Sequence, residues 1–274
     1  MDQSIELAPG ASVAVACPCC GGLSLEIFED TLDTEGNIVT IEICLVCSAL
    51  VNRSSLGRFV AAPENLRDVQ TSYLNNAYPV DRHIHAALEE ELGAHRGTLD
   101  FFLAEARPDR DPAELVFAEI GIGRGTFIRS AATLFRKCYA VDLDYDLFEA
   151  TREHMAVPRN IVLLNSIERV PEPIDVVVAW HSLEHVPRLF DLVSAVRKAL
   201  TPGGYLFFQV PLYRPNHLAE SHYVFLNRRA IAVLAEIQRF DLIGMWTDHS
   251  RACLAGLLRK PPEATTRAEA PPSD

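Results

Sequence analysis

Three glycines and one aspartate have the spacing of a nucleoside-binding turn. The glycines, at positions 121, 123 and 125, separate an apolar run at 115–118 from a helix-like segment at 126–135. A sharp strand-to-helix turn needs residues that tolerate positive φ and a bare backbone where a ligand approaches. The next apolar run ends in Asp142, where a carboxylate can accept both hydroxyls of a ribose. Together these features predict a site for a nucleoside-containing cofactor.

Two details favour S-adenosylmethionine over a dinucleotide. Glu119 directly precedes the turn, where a carboxylate would repel a pyrophosphate but would bind the ammonium of a methionine. The third glycine also comes two residues after the second, rather than three. The stretch resembles the first motif, E-x-G-x-G-x-G, of the class I S-adenosylmethionine-dependent methyltransferases. The expected cofactor contacts are therefore Glu119, Gly121, Gly123, Gly125 and Asp142.

Four cysteines form two C-x-x-C pairs, which are Cys17 with Cys20 and Cys44 with Cys47. Two such turns can place four thiolates at the corners of a tetrahedron, which is typical of structural zinc. A strand-like pattern with a turn at 35–37 lies between them, as in the hairpin of a zinc ribbon. We expect a closed Zn²⁺ site of structural function. Buried free thiols or a disulfide are the alternatives.

The resemblance implies an α/β fold for the rest of the chain, with a Rossmann-like, seven-stranded methyltransferase sheet and helices on both faces. Strands are expected at 115–118, 139–142, 160–164, 174–180, 205–210, 241–247 and 252–259. Helices are expected at 126–135, 145–154, 189–200 and 227–239. The predicted domains are a zinc ribbon at 1–60, a helical linker or lid at 61–112, the methyltransferase domain at 113–260 and a disordered tail at 261–274.

The residues after the third and fourth strands are further candidates for the cofactor site. In this family an acid is common after the third strand and receives the adenine amino group. Here Asn165 or Ser166 stands there, and a neutral oxygen accepts that hydrogen bond more weakly. The fourth strand ends near Trp180 and His181, which are candidate cofactor contacts because ligands bind beyond the carboxyl ends of such strands.

The segment after the fourth strand, with Leu-Glu-His at 183–185, resembles the fourth motif of the family. Glu184 and His185 either fix the following helix or contact the substrate. The stretch Glu-Ser-His-Tyr-Val-Phe-Leu at 220–226 resembles a segment of sugar C-methyltransferases with zinc-binding amino-terminal modules. By that resemblance His222, together with Tyr223, would remove a proton from the substrate, a task that suits an imidazole. Packing of His222 against the next helix is the alternative.

Composition narrows the choice of partners. The 274 residues carry a net charge of −12, and a strongly acidic surface repels phosphate backbones, so nucleic-acid binding is disfavoured. No run of 18 or more apolar residues indicates a membrane span. The amino terminus lacks the basic region of a secretory signal, so a cytoplasmic protein is expected. The expected partner is a small-molecule acceptor, and a homodimer is left open.

These observations favour a methyltransferase that acts at carbon or oxygen of a small, sugar-like or other biosynthetic intermediate. Methyl transfer needs an aligned nucleophile, a water-free site and, in many cases, a base. Two alternatives remain at this stage. One is an RNA methyltransferase whose zinc module recognises the substrate, and the other is a scaffold that keeps the fold without catalysis.

Overall fold

The computed structural model of the protein describes residues 15–68, 84–214 and 217–263. Within these ranges the strands are β1 Leu25–Leu32, β2 Ile38–Cys44, β3 Leu50–Asn52, β4 Val116–Ile120, β5 Lys137–Val141, β6 Ile161–Leu164, β7 Ile174–Trp180, β8 Leu200–Pro211, β9 Val224–Phe225, β10 Asp241–Asp248 and β11 Cys253–Arg259. The helices are α1 Arg53–Ala61, α2 Ile84–Ala106, α3 Thr126–Ala131, α4 Asp146–Ala150, α5 Leu189–Ala199 and α6 Arg228–Ile237. Most of the predicted tail, from residue 264, lies outside the described residues.

The main sheet has, in the described part of the chain, seven strands in the order β6-β5-β4-β7-β8-β11-β10. The five strands from β6 to β8 pair in parallel, whereas β11 runs antiparallel to both β8 and β10. All five residues of β4 are buried, as expected for a parallel strand that is covered on both faces. The predicted fold class is therefore confirmed.

Several predicted element ends differ from those in the structure. Helix α4, predicted at 145–154, ends at Ala150. Two further ends differ because the chain must reach its neighbouring strand in register. Helix α3 ends at Ala131 rather than at 135, and a turn then brings Lys137 opposite Val116. Strand β8 begins at Leu200, which pairs with Ile174, and its register then jumps to the next pair, Tyr205 with Val176. Residues 201–204, which lie between the predicted helix at 189–200 and the predicted strand at 205–210, are thus a bulge inside the strand.

The amino-terminal region forms a second, antiparallel sheet in the order β1-β2-β3-β9. Strands β1 and β2 form the predicted hairpin, and Asp33 closes its turn by accepting the N–H groups of Glu35 and Asn37 at 2.9 and 2.8 Å. The fourth strand, β9, comes from the carboxy-terminal half of the chain, far from the others in sequence. It pairs with β3 through Leu50 opposite Phe225.

Apolar packing joins this sheet to the main sheet. Buried side chains of both sheets, such as Val51 and Val224 of this sheet and Val177 and Leu206 of the main sheet, belong to one hydrophobic cluster. Hydrogen bonds add to it, since the Asn227 side chain, which caps α6, also donates to the Ser48 carbonyl at 2.6 Å. The domain boundary predicted at residue 60 divides the sequence, but described residues on both sides of it contribute to one hydrophobic core.

Helix α2 covers one face of the main sheet. Phe102 stacks on Phe207 of β8 with ring centroids 5.5 Å apart, and the Tyr205 hydroxyl donates to the Ala106 carbonyl at 2.8 Å. This packing fixes the direction of α2 and brings its middle turns to the edge where the parallel strands end. None of the helices in the described ranges combines the length and the apolar character that a bilayer span requires.

Candidate active site

A cavity of about 960 Å³ opens at the carboxyl ends of the parallel strands. Its lining includes nearly all the residues that the sequence predicted for cofactor contact: Glu119, Gly121, Gly123, Asp142, Asn165, Ser166, Trp180 and His181. It also includes His185 and His222, which were predicted for catalysis. Residues that are far apart in sequence therefore border one space of the size that suits a cofactor together with a small substrate.

The glycine turn has the conformation that its residue types predict. Gly121, Gly123 and Gly125 have φ values of +75°, +48° and +72°. A Cβ at Gly121 would lie 2.4 Å from the Ser182 Cβ, and one at Gly125 would lie 2.2 Å from the Phe148 ring. A Cβ at Gly123 would meet no protein atom within 4 Å. The first and third glycines therefore allow close packing, whereas the second leaves the backbone open toward the cavity.

Asp142 is held at the tip of β5 by backbone donors. Its Oδ2 accepts the N–H of Ile122, within the glycine turn, at 2.8 Å, and its Oδ1 accepts the N–H of Asp144 at 3.2 Å. Burial raises the pKa of this carboxyl group, although these N–H groups oppose the shift. The carboxylate is thus fixed beside the glycine turn, where it can accept hydrogen bonds from a ligand.

Glu119 is the most deeply buried acid of the turn, with 2% of its surface exposed. Burial, followed by the charge of Asp142, raises its pKa well above the ordinary range. Its Oε2 has no hydrogen-bond partner among the described residues. An unpartnered buried carboxylate is costly, and a cationic ligand group beside it would remove much of that cost.

Asn165 and Ser166, which follow β6, have different roles. The Ser166 oxygen accepts the N–H of Glu168 at 3.3 Å, and its hydroxyl hydrogen-bonds the Glu168 carboxylate. Ser166 therefore caps the short 3-10 turn Ile167–Arg169. Asn165 lines the cavity beside it, and so does Leu143, whose side chain is half exposed although it is large and apolar. Leu143 follows Asp142 directly, a position from which sequence reasoning could have selected it as an apolar surface for a base.

Trp180 and His181 end β7 and have different surroundings. Trp180 lines the cavity but also packs against Phe127 and Phe207, with ring centroids 5.5 and 5.6 Å away. His181 has a φ of +52°, and its Nε2 is 2.8 Å from the side-chain oxygen of Gln209. A strained backbone of this kind is concentrated at functional sites. Both residues therefore line the cavity at the carboxyl end of β7.

The lining of the cavity contains a second buried carboxylate, that of Glu184. Glu184, in the 3-10 turn Leu183–His185, is 2% exposed, and its Oε2 has no hydrogen-bond partner in the described ranges. Its Oε1 lies 3.7 Å from His181 Nδ1 and 4.0 Å from His185 Nε2. Burial alone would raise its pKa, but the nearby imidazoles of His181, His185 and His222 lower it below the ordinary value. Glu184 is therefore a buried anion.

Two histidines pack beside this carboxylate with their rings 4.6 Å apart. His185 Nδ1 lies 3.0 Å from the Ser221 carbonyl oxygen, and His222 Nδ1 lies 2.5 Å from that of His217. Because a carbonyl only accepts, each Nδ1 carries the hydrogen and each Nε2 is the basic nitrogen. Burial, and then the charge of His185, lowers the pKa of His222 to about 4, so His222 is neutral at physiological pH.

Tyr223 is not brought into the large cavity with His222. Its ring packs edge-on against Phe59, with ring centroids 6.1 Å apart. It lines a smaller neighbouring cavity of about 320 Å³. This placement does not support the predicted proton-transfer role for the Tyr223 hydroxyl.

The amino-terminal sheet also reaches the large cavity, which sequence reasoning missed. Thr34, in the β1–β2 turn, is one of the lining residues, and its N–H donates to the Leu218 carbonyl at 2.8 Å. Strand β9, which pairs with β3, begins two residues after His222. The position of His222 therefore depends on a sheet whose other strands come from the first 52 residues.

Helix α2 supplies two more lining residues, Glu91 and His95. The Glu91 carboxylate forms an ion pair with Arg124 and accepts the Thr126 hydroxyl at 3.2 Å, so α2 is tied to the glycine turn. Both Glu91 and His95 belong to the segment 61–112, which was predicted as a helical linker or lid. Residues 69–83 of that region lie outside the described residues.

The four cysteines of the two C-x-x-C pairs converge at one point. Their Sγ atoms all lie within 4.8 Å of one another, with Cys17 and Cys47 3.7 Å apart and Cys20 and Cys44 3.6 Å apart. Thiolates about 2.3 Å from a tetrahedral zinc ion are roughly 3.8 Å apart, so this arrangement fits the ion. Cys19 instead contacts the Ala230 carbonyl on α6 at 3.6 Å and belongs to the packing between the two sheets.

Known proteins resemble this chain in sequence. A family model described as "Methyltransferase domain" matches residues 89–251. A ubiquinone biosynthesis O-methyltransferase of Burkholderia vietnamiensis is 33% identical over 96 residues, which cover 33% of this chain and 41% of that relative. The match to that relative thus spans less than half of its length.

Solved structures share the fold. An S-adenosylmethionine-bound amino pentose methyltransferase, CalS10, from Micromonospora echinaspora has a TM-score of 0.51 and 11% identity, covering 66% of this chain and 98% of its own. A chain from the complex of the Haloferax volcanii Trm112 methyltransferase activator with a methyltransferase has a TM-score of 0.54 and 12% identity. That match covers 73% of this chain and 99% of the other.

Proposed function

Because the chain belongs to the methyltransferase domain family, we propose that it transfers the methyl group of S-adenosylmethionine to carbon or oxygen of a small-molecule acceptor. The observation that carries this proposal is the single cavity of about 960 Å³. It is bordered by Glu119, the glycine turn and Asp142 together with the buried histidines. A donor and an acceptor can therefore lie side by side in one space.

The residues present fit the cofactor group by group. Asp142 would accept the two ribose hydroxyls, and the open backbone at Gly123 would allow the methionine part to pass closely. The unpartnered oxygen of Glu119 would accept the ammonium. Asn165 would receive the adenine amino group, with Leu143 against the ring. Ser166, which already hydrogen-bonds Glu168, would contribute through its backbone.

We assign proton removal to His222. Its Nδ1 is bonded to the His217 carbonyl, which leaves Nε2 as the nitrogen that accepts a proton. As the acceptor atom bonds to the methyl carbon, the sulfur–carbon bond breaks and its electron pair stays on sulfur. The acceptor's proton passes to His222 Nε2, and S-adenosylhomocysteine leaves. His185 would support this step from 4.6 Å away.

The acceptor is a small molecule in this proposal. The Burkholderia relative is, by its name, an O-methyltransferase of ubiquinone biosynthesis, and CalS10 is an amino pentose methyltransferase. The net charge of −12 disfavours an RNA acceptor. A scaffold without catalysis is disfavoured by the cavity itself, since a fold that had lost its cofactor would have no need to keep this space open beside Asp142.

A structural zinc ion completes the proposal. Four cysteines with sulfur atoms 3.6 to 3.7 Å apart in pairs leave no open coordination position, so the ion would stabilise the amino-terminal sheet and supply no chemistry. Metal analysis of the purified protein should find zinc at one equivalent bound by these thiolates. Loss of that equivalent in Cys44→Ser would assign it to this cluster.

Calorimetry with S-adenosylhomocysteine tests the cofactor site. Wild-type protein should bind one equivalent, and Asp142→Asn should bind about 10- to 100-fold more weakly because charge-assisted hydrogen bonds to the ribose are lost. Asp241→Asn is the matched control, since Asp241 is exposed at the start of β10, at the opposite end of the sheet. No binding by the wild type, or equal binding by Asp142→Asn, would refute the proposal.

A further inference from the structure

Three side chains in the cavity offer ligands for a metal ion away from the cysteine cluster. One ligand atom each from Glu184, His185 and His222 lies within 4.8 Å of the other two. We propose that these residues bind a divalent transition-metal ion beside the acceptor. The proposal rests on the methyl transfer proposed above and changes only how the acceptor loses its proton.

The two histidines make the hydrogen bonds that metal-bound histidines usually make. A ligating imidazole usually donates its second ring N–H to a carbonyl or a carboxylate, which fixes its tautomer and its orientation. Here His185 Nδ1 and His222 Nδ1 are bonded to the carbonyl oxygens of Ser221 and His217 at 3.0 and 2.5 Å. The Nε2 atoms are therefore the two nitrogen ligands, and their rings are fixed by the backbone of the same loop.

Glu184 supplies the electrostatic reason for a cation. It is almost fully buried, and its Oε2 has no hydrogen-bond partner among the described residues. The imidazoles nearest to it are 3.7 and 4.0 Å away, which is too far for a strong hydrogen bond. A buried anion without close donors is stabilised by a bound cation.

Small movements would complete the coordination. Ligand atoms about 2.1 Å from a shared ion lie roughly 3 to 3.4 Å apart, so Glu184 Oε1 and His185 Nε2 would approach by under about 1 Å. Rotation of the Glu184 side chain can supply this movement. Two imidazoles and one carboxylate leave other coordination positions open, and this donor set suits Zn²⁺, Fe²⁺ or Co²⁺ better than Mg²⁺ or Ca²⁺.

An open coordination position on the ion, beside the acceptor, has a chemical use. A bound divalent ion lowers the pKa of a coordinated hydroxyl, so the proton of the acceptor can leave to water before methyl transfer. His222 would then hold the ion and would not itself take the proton. The bonds made and broken at the methyl group are the same as before. An acceptor with a hydroxyl, enol or catechol oxygen is the class that such a site favours.

Cobalt binding to the full-length protein tests the proposal, because cobalt bound to thiolates and cobalt bound to nitrogen and oxygen differ in their visible spectra. Protein that already carries zinc on its cysteines is titrated with CoCl₂. The wild type should bind one further equivalent with the spectrum of nitrogen and oxygen ligands. Glu184→Gln and His222→Asn should each weaken this binding at least 10-fold.

The control is Glu168→Gln, which removes a carboxylate from the same cavity but outside the cluster. It should bind cobalt as the wild type does. S-adenosylhomocysteine affinity, measured on every variant, shows that each is folded and keeps the cofactor site. If Glu184→Gln does not fold, His222→Asn and His185→Asn decide the question.

The outcomes separate the two proposals. No second equivalent in the wild type, or equal cobalt affinity in the folded Glu184 and His222 variants, would overturn the metal site and leave His222 as the base. Failure of the wild type to bind S-adenosylhomocysteine would overturn the methyltransferase proposal itself, whatever the result with cobalt.

Discussion

The two halves of the cavity are built in different ways. The cofactor half consists of the glycine turn, Glu119 and Asp142, whose geometry follows from neighbouring residues on adjacent parallel strands. The acceptor half consists of the Leu-Glu-His turn, the loop that carries His222, and Thr34 from the amino-terminal hairpin. The comparison indicates that the proposed donor site is a local property of the main sheet, whereas the proposed acceptor site requires both sheets to be assembled.

The largest effect is expected within the cofactor half, at Gly125. In Gly125→Val the new side chain starts 2.2 Å from the Phe148 ring on a backbone with a φ of +72°, so about 3 kcal/mol or more of stability should be lost. Gly123→Val also strains the backbone, by about 1 to 2 kcal/mol, but faces open space and should mainly weaken S-adenosylhomocysteine binding. Denaturant unfolding with calorimetry distinguishes the two, and equal loss of stability in both would contradict these roles.

The residues of the acceptor half should become less ordered when the amino-terminal sheet is destabilised. Cys44→Ser should release the proposed zinc ion and loosen β3, and with it β9 and His222. S-adenosylhomocysteine affinity should change by less than about threefold, because the glycine turn and Asp142 belong to the other sheet. Hydrogen exchange should show faster exchange at 218–226 in the variant, with 116–125 unchanged.

Cys19→Ser is the control for this comparison, since Cys19 lies in the same turn but outside the cluster. It should retain the metal. Equal losses of cofactor affinity and of order at 218–226 in Cys44→Ser would show instead that the amino-terminal sheet supports both halves.

A smaller effect, with a defined pH dependence, is expected at Glu119. Burial raises the pKa of Glu119 in the folded protein above the unfolded value near 4.3. The folded protein therefore loses stability when the Glu119 carboxyl group ionises, as pH rises through the folded pKa. Glu119→Gln removes this loss, and the apo variant should be about 1 to 2 kcal/mol more stable than wild type at pH 8. The difference should shrink at pH 4.

The same substitution should weaken cofactor binding, since the ammonium loses its carboxylate partner. Thermal unfolding at the two pH values, with and without S-adenosylhomocysteine, measures both effects. A variant that is less stable than wild type at pH 8, or that binds the cofactor equally well, would contradict the role given to Glu119.

The smallest effect on stability is expected where the β1–β2 hairpin contacts Tyr213, in the loop after β8. Tyr213→Phe removes the hydroxyl that hydrogen-bonds Glu29 of β1, and this should cost about 1 kcal/mol. Phe28 packs edge-on against the same ring at 6.1 Å and should hold it in place. Denaturant unfolding should therefore show a slight loss of stability, and a loss above about 2 kcal/mol would mean that this contact anchors the loop.

The sequence predicted which residues meet at the glycine turn, because the signals for this part of the cavity are local. Glycines that require positive φ, a carboxylate at a strand tip and apolar runs of strand length each depend on a few neighbouring residues. The main sheet followed from the same signals, together with the family resemblance. Element ends were less predictable, as at α3 and β8, because register with the neighbouring strand decides where an element stops.

The acceptor half was less predictable because its contacts join distant segments. Neither the pairing of β3 with β9 nor the reach of Thr34 into the cavity has a local signature. Glu184 was recognised as a motif residue, but its burial and its unpartnered oxygen depend on tertiary packing. Tyr223 was paired with His222 on the family resemblance of 220–226, whereas in the structure His222 lines the large cavity and Tyr223 lines the smaller one.

The crystal structure of the complex with S-adenosylhomocysteine tests the central claim most directly. The account predicts ribose hydroxyls on Asp142, the ammonium at Glu119, and the sulfur facing the space beside Glu184 and His222. A ligand bound elsewhere, or one whose sulfur faces away from these two side chains, would contradict it.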